Sequence, residues 1–380
     1  MPRTISAKIN PEMLRWARAR VGMPLSVAAK KISVDESLVA EWELGNEKPS
    51  FAQLRTIANV FRRPLAFFYL SEAPEDFPIP HDFRRIQSQT SVSFELVQAL
   101  RTAHFRREAI LRIHDGYGQP RKPFDLKIDS DQPPDQIASE VRRVLGVSLA
   151  SQKATRDPFS SLRLWKDAVE VQGVLVFQAS RISVQEMRGF SIANDLAPVV
   201  VVNSKDAPTA RVFSLLHEFA HLLLHRHKGS ICVFSESEST DSEERLCDAI
   251  AANVLVPSTA LLQQPEVKKQ RNRSTWDKES ISALARRFGV SEFVIIRRLL
   301  TLRKISKARF QQHANEIRDR VYSSPGKGGP TYYRTKVAQL GRPYIRTVLG
   351  AYDDNVITAR DAVEYLDVRI DNFNKLAEAV

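Results

Sequence analysis

Apolar residues recur at helical spacing along most of this chain, and two short stretches break the rhythm. Arg211 to His225 holds Val212, Phe213, Leu215, Leu216, Leu222, Leu223 and Leu224, which cover most of a helix circumference. The pattern predicts a mostly buried helix there. A second helix is predicted from about 242 to 256, with Thr240, Asp241 or Ser242 as N-cap and Pro257 as its stop. The exceptions are Gly173 to Phe177 and Pro198 to Asn203, short apolar runs rich in valine that read as strands placed before the buried helix.

Residues from about 10 to 70 show the same helical periodicity at Ala28, Ala29, Ile32, Val34, Leu38, Trp42 and Leu54. Ser33 is expected to cap a third helix, Gly45 to stop it, and Pro49 with Ser50 to open the next. The apolar run Leu65 to Leu70 closes this bundle. Residues 71–92, rich in Pro, Asp and Arg, read as a linker. Residues 93–145 read as a connecting helical segment with a loop at 115–134. Farther on, Ile281 to Ser291 followed by Phe293 to Leu299 reads as helix, turn, helix. Ser, Pro and Gly predict a loop at 322–336. The tail from Pro343 to Ala379 is helical by pattern, with Thr358 as a cap. The expected fold is mainly α with a small β-sheet (α+β). Its parts are 1–70, 71–144, 145–270, 271–320 and 321–380.

One pentapeptide carries a chemistry. His217-Glu218-Phe219-Ala220-His221 lies in the middle of the buried helix. Residues four apart share a helix face, so both imidazoles can reach one Zn²⁺. Glu218, beside the first histidine, can act as general base toward water. Two surface histidines on an ordinary helix would need no metal. Here the flanks are apolar, and burying two histidines and a glutamate costs solvation unless something satisfies them. A hydrolytic zinc site also needs a third protein ligand. His227 lies six after His221, but that arrangement needs a helix-ending glycine where this chain has Leu224. The remaining source is a carboxylate of the 242–256 helix, which offers Glu243 and Glu244. For the donor to a tetrahedral oxyanion, Arg211, His225 and His227 are near in sequence, and the sequence does not choose among them.

The His-Glu-x-x-His run, followed by a helix reading Glu244, Asp248, Ala251, Val254 and Pro257, resembles the ImmA/IrrE-type zinc metallopeptidases over roughly residues 145–305. That resemblance implies a zincin-like core with His217, His221 and Glu244 as metal ligands and Glu218 as catalytic base. It leaves Glu243 as the fallback ligand. It places Asp248 where a carboxylate can orient a ligand from behind. It implies a second helix-turn-helix-like element after the zinc core, matched by 281–299. It also implies a protein substrate, a repressor or antitoxin, cut in a bacterial or phage regulatory or stress circuit. The N-terminal 10–70 stretch resembles an Xre-type helix-turn-helix bundle of five short helices.

Charge complicates the DNA-binding expectation that goes with such a bundle. The expected recognition helix, 34–43, holds Asp35, Glu36, Glu41 and Glu43 and no Arg, Lys, Asn or Gln. Those absent types do most base reading in the major groove. Lys30, Lys31, Arg15, Arg18 and Arg20 can still hold phosphates. The formal charge of +12 is concentrated at 271–345, net +12, with +5 in residues 1–70 and −3 in 346–380. Arg297 and Arg298 therefore become candidate phosphate contacts, and any DNA binding is expected to be mainly non-specific. The opposing function class is a DNA-binding transcription regulator whose zinc domain senses or docks, and a zinc-stabilised inactive scaffold is a third.

Cys232 and Cys247 are too few for a disulfide framework and sit at no metal spacing. The first ten residues lack a signal-peptide core, and no window reaches eighteen apolar residues. A cytoplasmic protein without a membrane anchor is expected, and a homodimer stays open.

Overall fold

The computed structural model describes residues 6–20, 23–61, 63–72, 93–118, 123–155, 157–224, 230–234, 242–270, 272–321 and 332–380. The chain divides into two compact units, Met1–Thr102 and Ala103–Val380.

The first unit is built from α1 (Pro11–Arg20), α2 (Leu25–Ile32), α3 (Glu36–Leu44), α4 (Phe51–Phe61) and a 3-10 helix (Leu65–Tyr69). With the 3-10 helix this makes the expected five short helices. Leu14, Ala28, Val39, Trp42, Leu54, Ile57 and Phe68 fill their common core. The turn between α2 and α3 differs from the expectation. Ser33 closes α2 in the left-handed region (φ 64°), and Asp35 occupies the N-cap position of α3. Gly45 does end α3, at φ 80°, and a Cβ there would lie 3.1 Å from the Pro11 ring, so glycine is required on two counts. Ser50 opens α4, its hydroxyl accepting from the Gln53 amide. The long helix α5 (Phe94–Gly116) carries the boundary between the units.

The second unit continues with α6 (Pro134–Leu145), α7 (Leu149–Lys153) and α8 (Pro158–Val171), then β1 (Leu175–Ala179), β2 (Gly189–Ala193) and β3 (Val199–Asn203). Helix α9 (Pro208–Leu224), β4 (Ser230–Phe234) and α10 (Ser242–Leu255) follow. Then come α11 (Ser258–Leu262), α12 (Pro265–Lys269), α13 (Lys278–Phe288), α14 (Glu292–Thr301) and α15 (Lys307–Val321). The tail holds α16 (Tyr332–Leu340), α17 (Arg342–Asp353), α18 (Ala359–Leu366), a 3-10 turn (Ile370–Asn372) and α19 (Phe373–Glu378). Thr358 forms the expected cap, as a capping box with Asp361. Residues 332–336, expected in a loop, are the start of α16; residues 322–331 lie outside the described set. No helix among the described residues is long and apolar enough to cross a membrane.

The sheet has the order β1-β3-β2-β4, with β1 and β3 parallel and the other pairs antiparallel. Every residue of β2 and β3 is buried, which explains the unbroken valine run of β3. Alternation decides what each face meets. Val176, Val200, Val202 and Ala193 join the core that includes Leu215, Leu216, Phe219 and Leu223 of α9. On the other face Phe177 packs edge-on to Tyr344 of α17, ring centroids 5.3 Å apart. Helices α8 and α10 also pack against α9, which leaves α9 covered on nearly every side.

Candidate metal centre

Helix α9 buries both histidines and the glutamate of the pentapeptide completely or nearly so. The four-residue spacing brings His217 Nε2 and His221 Nε2 to 3.1 Å. Glu244, in the first turn of α10, places Oε2 3.2 Å from His217 Nε2 and Oε1 3.2 Å from His221 Nε2. These three are the group among the described residues whose donor atoms could hold one ion, all lying within 4.8 Å.

The other ring nitrogens are held from behind. Asp248 Oδ1 lies 2.9 Å from His217 Nδ1, and Glu243 Oε1 lies 3.2 Å from His221 Nδ1. A carboxylate at Nδ1 selects the tautomer with its proton there and turns the Nε2 lone pair inward. Two lone pairs and a carboxylate then face one another, which is unfavourable without a cation between them. Tetrahedral bonds of about 2.0–2.1 Å would set ligand atoms about 3.3 Å apart, close to the spacing found. The donor set therefore fits a divalent ion such as Zn²⁺, and it divides the two adjacent carboxylates that the sequence left open. Glu244 faces the pair of Nε2 atoms, whereas Glu243 sits behind His221.

Glu218 points to the sheet. Its Oε2 accepts from the Ser191 hydroxyl of β2 at 2.7 Å, and its Oε1 is buried with no hydrogen-bond partner among the described residues. Gly189, on the same face of β2 as Ser191, makes room for it. A Cβ there would come 3.1 Å from Glu218 Cγ and 3.3 Å from Oε1. Burial pushes the Glu218 carboxyl above its ordinary range, while His221, His217 and the Ser191 hydroxyl pull it back. His217 is lowered by burial, but hydrogen bonds to Asp248 and Glu244 outweigh that and leave it raised. Burial also opposes ionisation of Glu244, and the two histidines overcome it and hold the carboxyl well below its usual range. The buried Cys247 thiol is pushed up to about 11 by burial, so it stays protonated.

The carboxylate-bearing helix is fixed at its far end. Its last carbonyls have no partner within the helix. Arg142 of α6 donates to Val254 O (2.6 Å), Gln152 of α7 to Leu255 O (2.8 Å), and Arg298 of α14 to Val256 O (2.9 Å). Two guanidinium groups at a helix C-terminus also complement its dipole.

Arg298 is thereby removed from the phosphate-binding candidates. It is 2% exposed and spends its guanidinium on Val256 O, the Ser258 hydroxyl and Asp135. Net charge along the sequence counted it as surface, and packing turned it inward. Arg297 is 40% exposed but pairs with Asp248 Oδ2 at 2.9 Å, so it too faces the metal centre. In the first unit, Lys31 is held by Glu95 at 2.7 Å and lies over the Phe94 ring, while Lys30 is exposed. Glu43, one of the four carboxylates of the expected recognition helix, is 7% exposed and paired with Arg18 at 2.6 and 2.8 Å. Arg211 donates to Asp206 O and Gln178 Oε1 at the start of α9, which commits it locally. His225, His227, Thr240 and Asp241 lie outside the described residues.

A buried His-Glu-x-x-His helix laid on a small sheet, with a carboxylate from the next helix, has the donor pattern of metallopeptidase-type sites. Residues 169–300 match the IrrE N-terminal-like domain of peptidase M78, a range that contains every residue of this centre. Residues 14–68 match a helix-turn-helix domain. The chain is thus similar to a helix-turn-helix domain over residues 14–68 and to an IrrE-type peptidase domain over residues 169–300. A search of curated proteins finds no match.

Proposed function

We propose that the chain is a zinc-dependent endopeptidase that cuts a regulatory protein partner, a repressor or antitoxin, at a limited site. The observation that carries this reading is the convergence of His217, His221 and Glu244 beside a buried Glu218 with one oxygen unengaged. The three ligand residues would hold Zn²⁺ and leave a fourth position open, the arrangement of hydrolytic rather than structural sites. An ion there supplies Lewis acidity toward the scissile carbonyl and the attacking water. Glu218 accepts the proton of that water at Oε1, with Ser191 holding Oε2, and delivers it to the leaving nitrogen as the C–N bond breaks. The proposed place of action is the cytoplasm, where such a regulator would be met.

The helix-turn-helix match favours a second reading, a DNA-binding regulator whose metal domain senses or docks. Asp35 and Glu36 are exposed at the start of α3 and unsuited to phosphates or base edges, so DNA contact would run mainly through non-specific basic residues such as Lys30. One variant separates the readings. Glu218→Gln keeps its metal, because Glu218 is not a ligand, and abolishes cleavage of a co-expressed small helix-turn-helix partner. Undiminished cleavage would remove Glu218 from the reaction. Regulation that persists in full without cleavage would favour the second reading.

A further inference from the structure

The helix pair α13–α14 follows the metal centre in sequence, and its role is not explained by the three ligands and the base. Ile295, Ile296 and Leu299 anchor α14 in the core, and Arg298 ties it to the end of α10. The next residue back, Arg297, reaches the middle of α10. Its Nη2 lies 2.9 Å from Asp248 Oδ2, while the other oxygen of the same carboxylate lies 2.9 Å from His217 Nδ1. Both oxygens of Asp248 are thus engaged, one by a guanidinium and one by a ligand imidazole. The Asp248 side chain is only 16% exposed, and among the described residues Arg297 is the arginine or lysine that pairs with it.

We propose that Arg297 is a positioning residue for the metal centre, acting on His217 through Asp248. Resting on the zinc-peptidase reading above, this extends the site from α9 and α10 to the second helix-turn-helix-like element. The physical role is specific. Asp248 accepts the Nδ1 proton of His217, which fixes the ring and strengthens Nε2 as a donor. A carboxylate with one oxygen free could rotate away from the imidazole or turn to solvent. Arg297 keeps that rotation closed. It explains why an arginine with part of its length in water is directed at a carboxylate on another helix.

The test uses the full chain and two ions. Zinc affinity is measured by competition with a chromophoric chelator, and ligand geometry by the visible absorption of the Co²⁺-loaded protein. Arg297→Ala should weaken zinc binding about tenfold, the low end of what loss of an outer partner does. It should also shift the Co²⁺ bands, while melting of the metal-free protein stays close to wild type. Arg297→Lys should recover part of the affinity, because it restores charge without the planar fork. Asp248→Asn should weaken binding at least as much, and Arg297→Ala added to it should cost little more, because the route through Asp248 is already cut. Equal zinc affinity in Arg297→Ala and wild type overturns the proposal. So does a full tenfold loss in the Asp248→Asn background, which would make Arg297 act elsewhere. Wild-type protein that takes up neither ion overturns the zinc reading itself, a result distinct from both.

Discussion

Replacing Glu244 and Glu243 by alanine, one at a time, tests the proposal that Glu244 is a metal ligand and Glu243 a supporting carboxylate one residue away. Glu244 has an oxygen 3.2 Å from each Nε2 atom, whereas Glu243 touches His221 at Nδ1, on the far side of the ring. Glu243→Ala leaves three ligands and removes one orienting contact, a change worth about 10–100-fold in affinity, or about 1.4–2.7 kcal/mol. Glu244→Ala leaves two imidazoles and should abolish stoichiometric binding. Thermal melting with and without zinc reads this directly. Free zinc at about 100 times the wild-type Kd should add about 2.7 kcal/mol to wild-type stability. That corresponds to roughly 5–10 °C in a unit of this size. At the same zinc concentration Glu243→Ala should keep about 0.4–1.4 kcal/mol of the effect, and Glu244→Ala none. A zinc-induced rise that survives Glu244→Ala and disappears in Glu243→Ala would exchange the two roles. A rise that survives both would show that neither carboxylate binds.

Three further outcomes are expected. Gly189→Ala puts a methyl 3.1 Å from Glu218 Cγ and 3.2 Å from Val201 O, so the base must shift by a few tenths of an ångström; zinc content should hold while cleavage falls about tenfold, and unchanged turnover would show that this contact does not set the base. Arg298→Met removes a buried guanidinium from Val256 O and the Ser258 hydroxyl. Each lost charged hydrogen bond costs about 1.5–3 kcal/mol, partly offset because a desolvated charge is no longer buried, so a net loss of about 2–4 kcal/mol should appear in denaturant melts, with DNA affinity unmoved. The third concerns pH. Burial raises Glu170 to about 7 against the pull of Lys166, 3.6 Å away. The folded state therefore holds the proton longer than the unfolded one, so this contribution to stability is full below the unfolded value and is lost as pH rises through about 7. Glu170→Gln should flatten the pH dependence of stability between about pH 4.5 and 7, and an unchanged slope would remove Glu170 as its source.

The part of the centre that lies within one helix was legible from spacing alone. His217 and His221 are four apart, and a helix period guarantees their meeting. The carboxylate was narrowed to two neighbours by its helix, but choosing between Glu243 and Glu244 needs the rotation of one helix about another, which one sequence does not encode locally. Ser191 and Gly189 gave no signal, because their nearness to Glu218 comes from the face that β2 turns to α9. The N-terminal bundle was readable from periodicity and from Gly45, yet Ser33 was assigned to the wrong helix. A serine between two helices can cap the second or close the first in the left-handed region, and the sequence pattern is the same. Arg298 and Glu43 were misread for a common reason: a charge count assumes exposure, and both side chains are buried against partners far away in sequence.

The three ties on the end of α10 also impose an order on how the centre comes together. Arg142 and Gln152 precede the carbonyls they hold by 112 and 103 residues, whereas Arg298 follows its carbonyl by 42. A chain growing from its N-terminus has the two histidines, the base and Glu244 in hand before α14 exists. The last tie and the Arg297 contact to Asp248 come only after some fifty further residues past Asp248 have been made. Domains generally fold as units, with N-terminal parts emerging first during synthesis. The centre is therefore expected to complete late, after the helix pair that follows it has closed over α10. Such a sequence of events leaves the centre unfinished until the helix pair that follows it has been made.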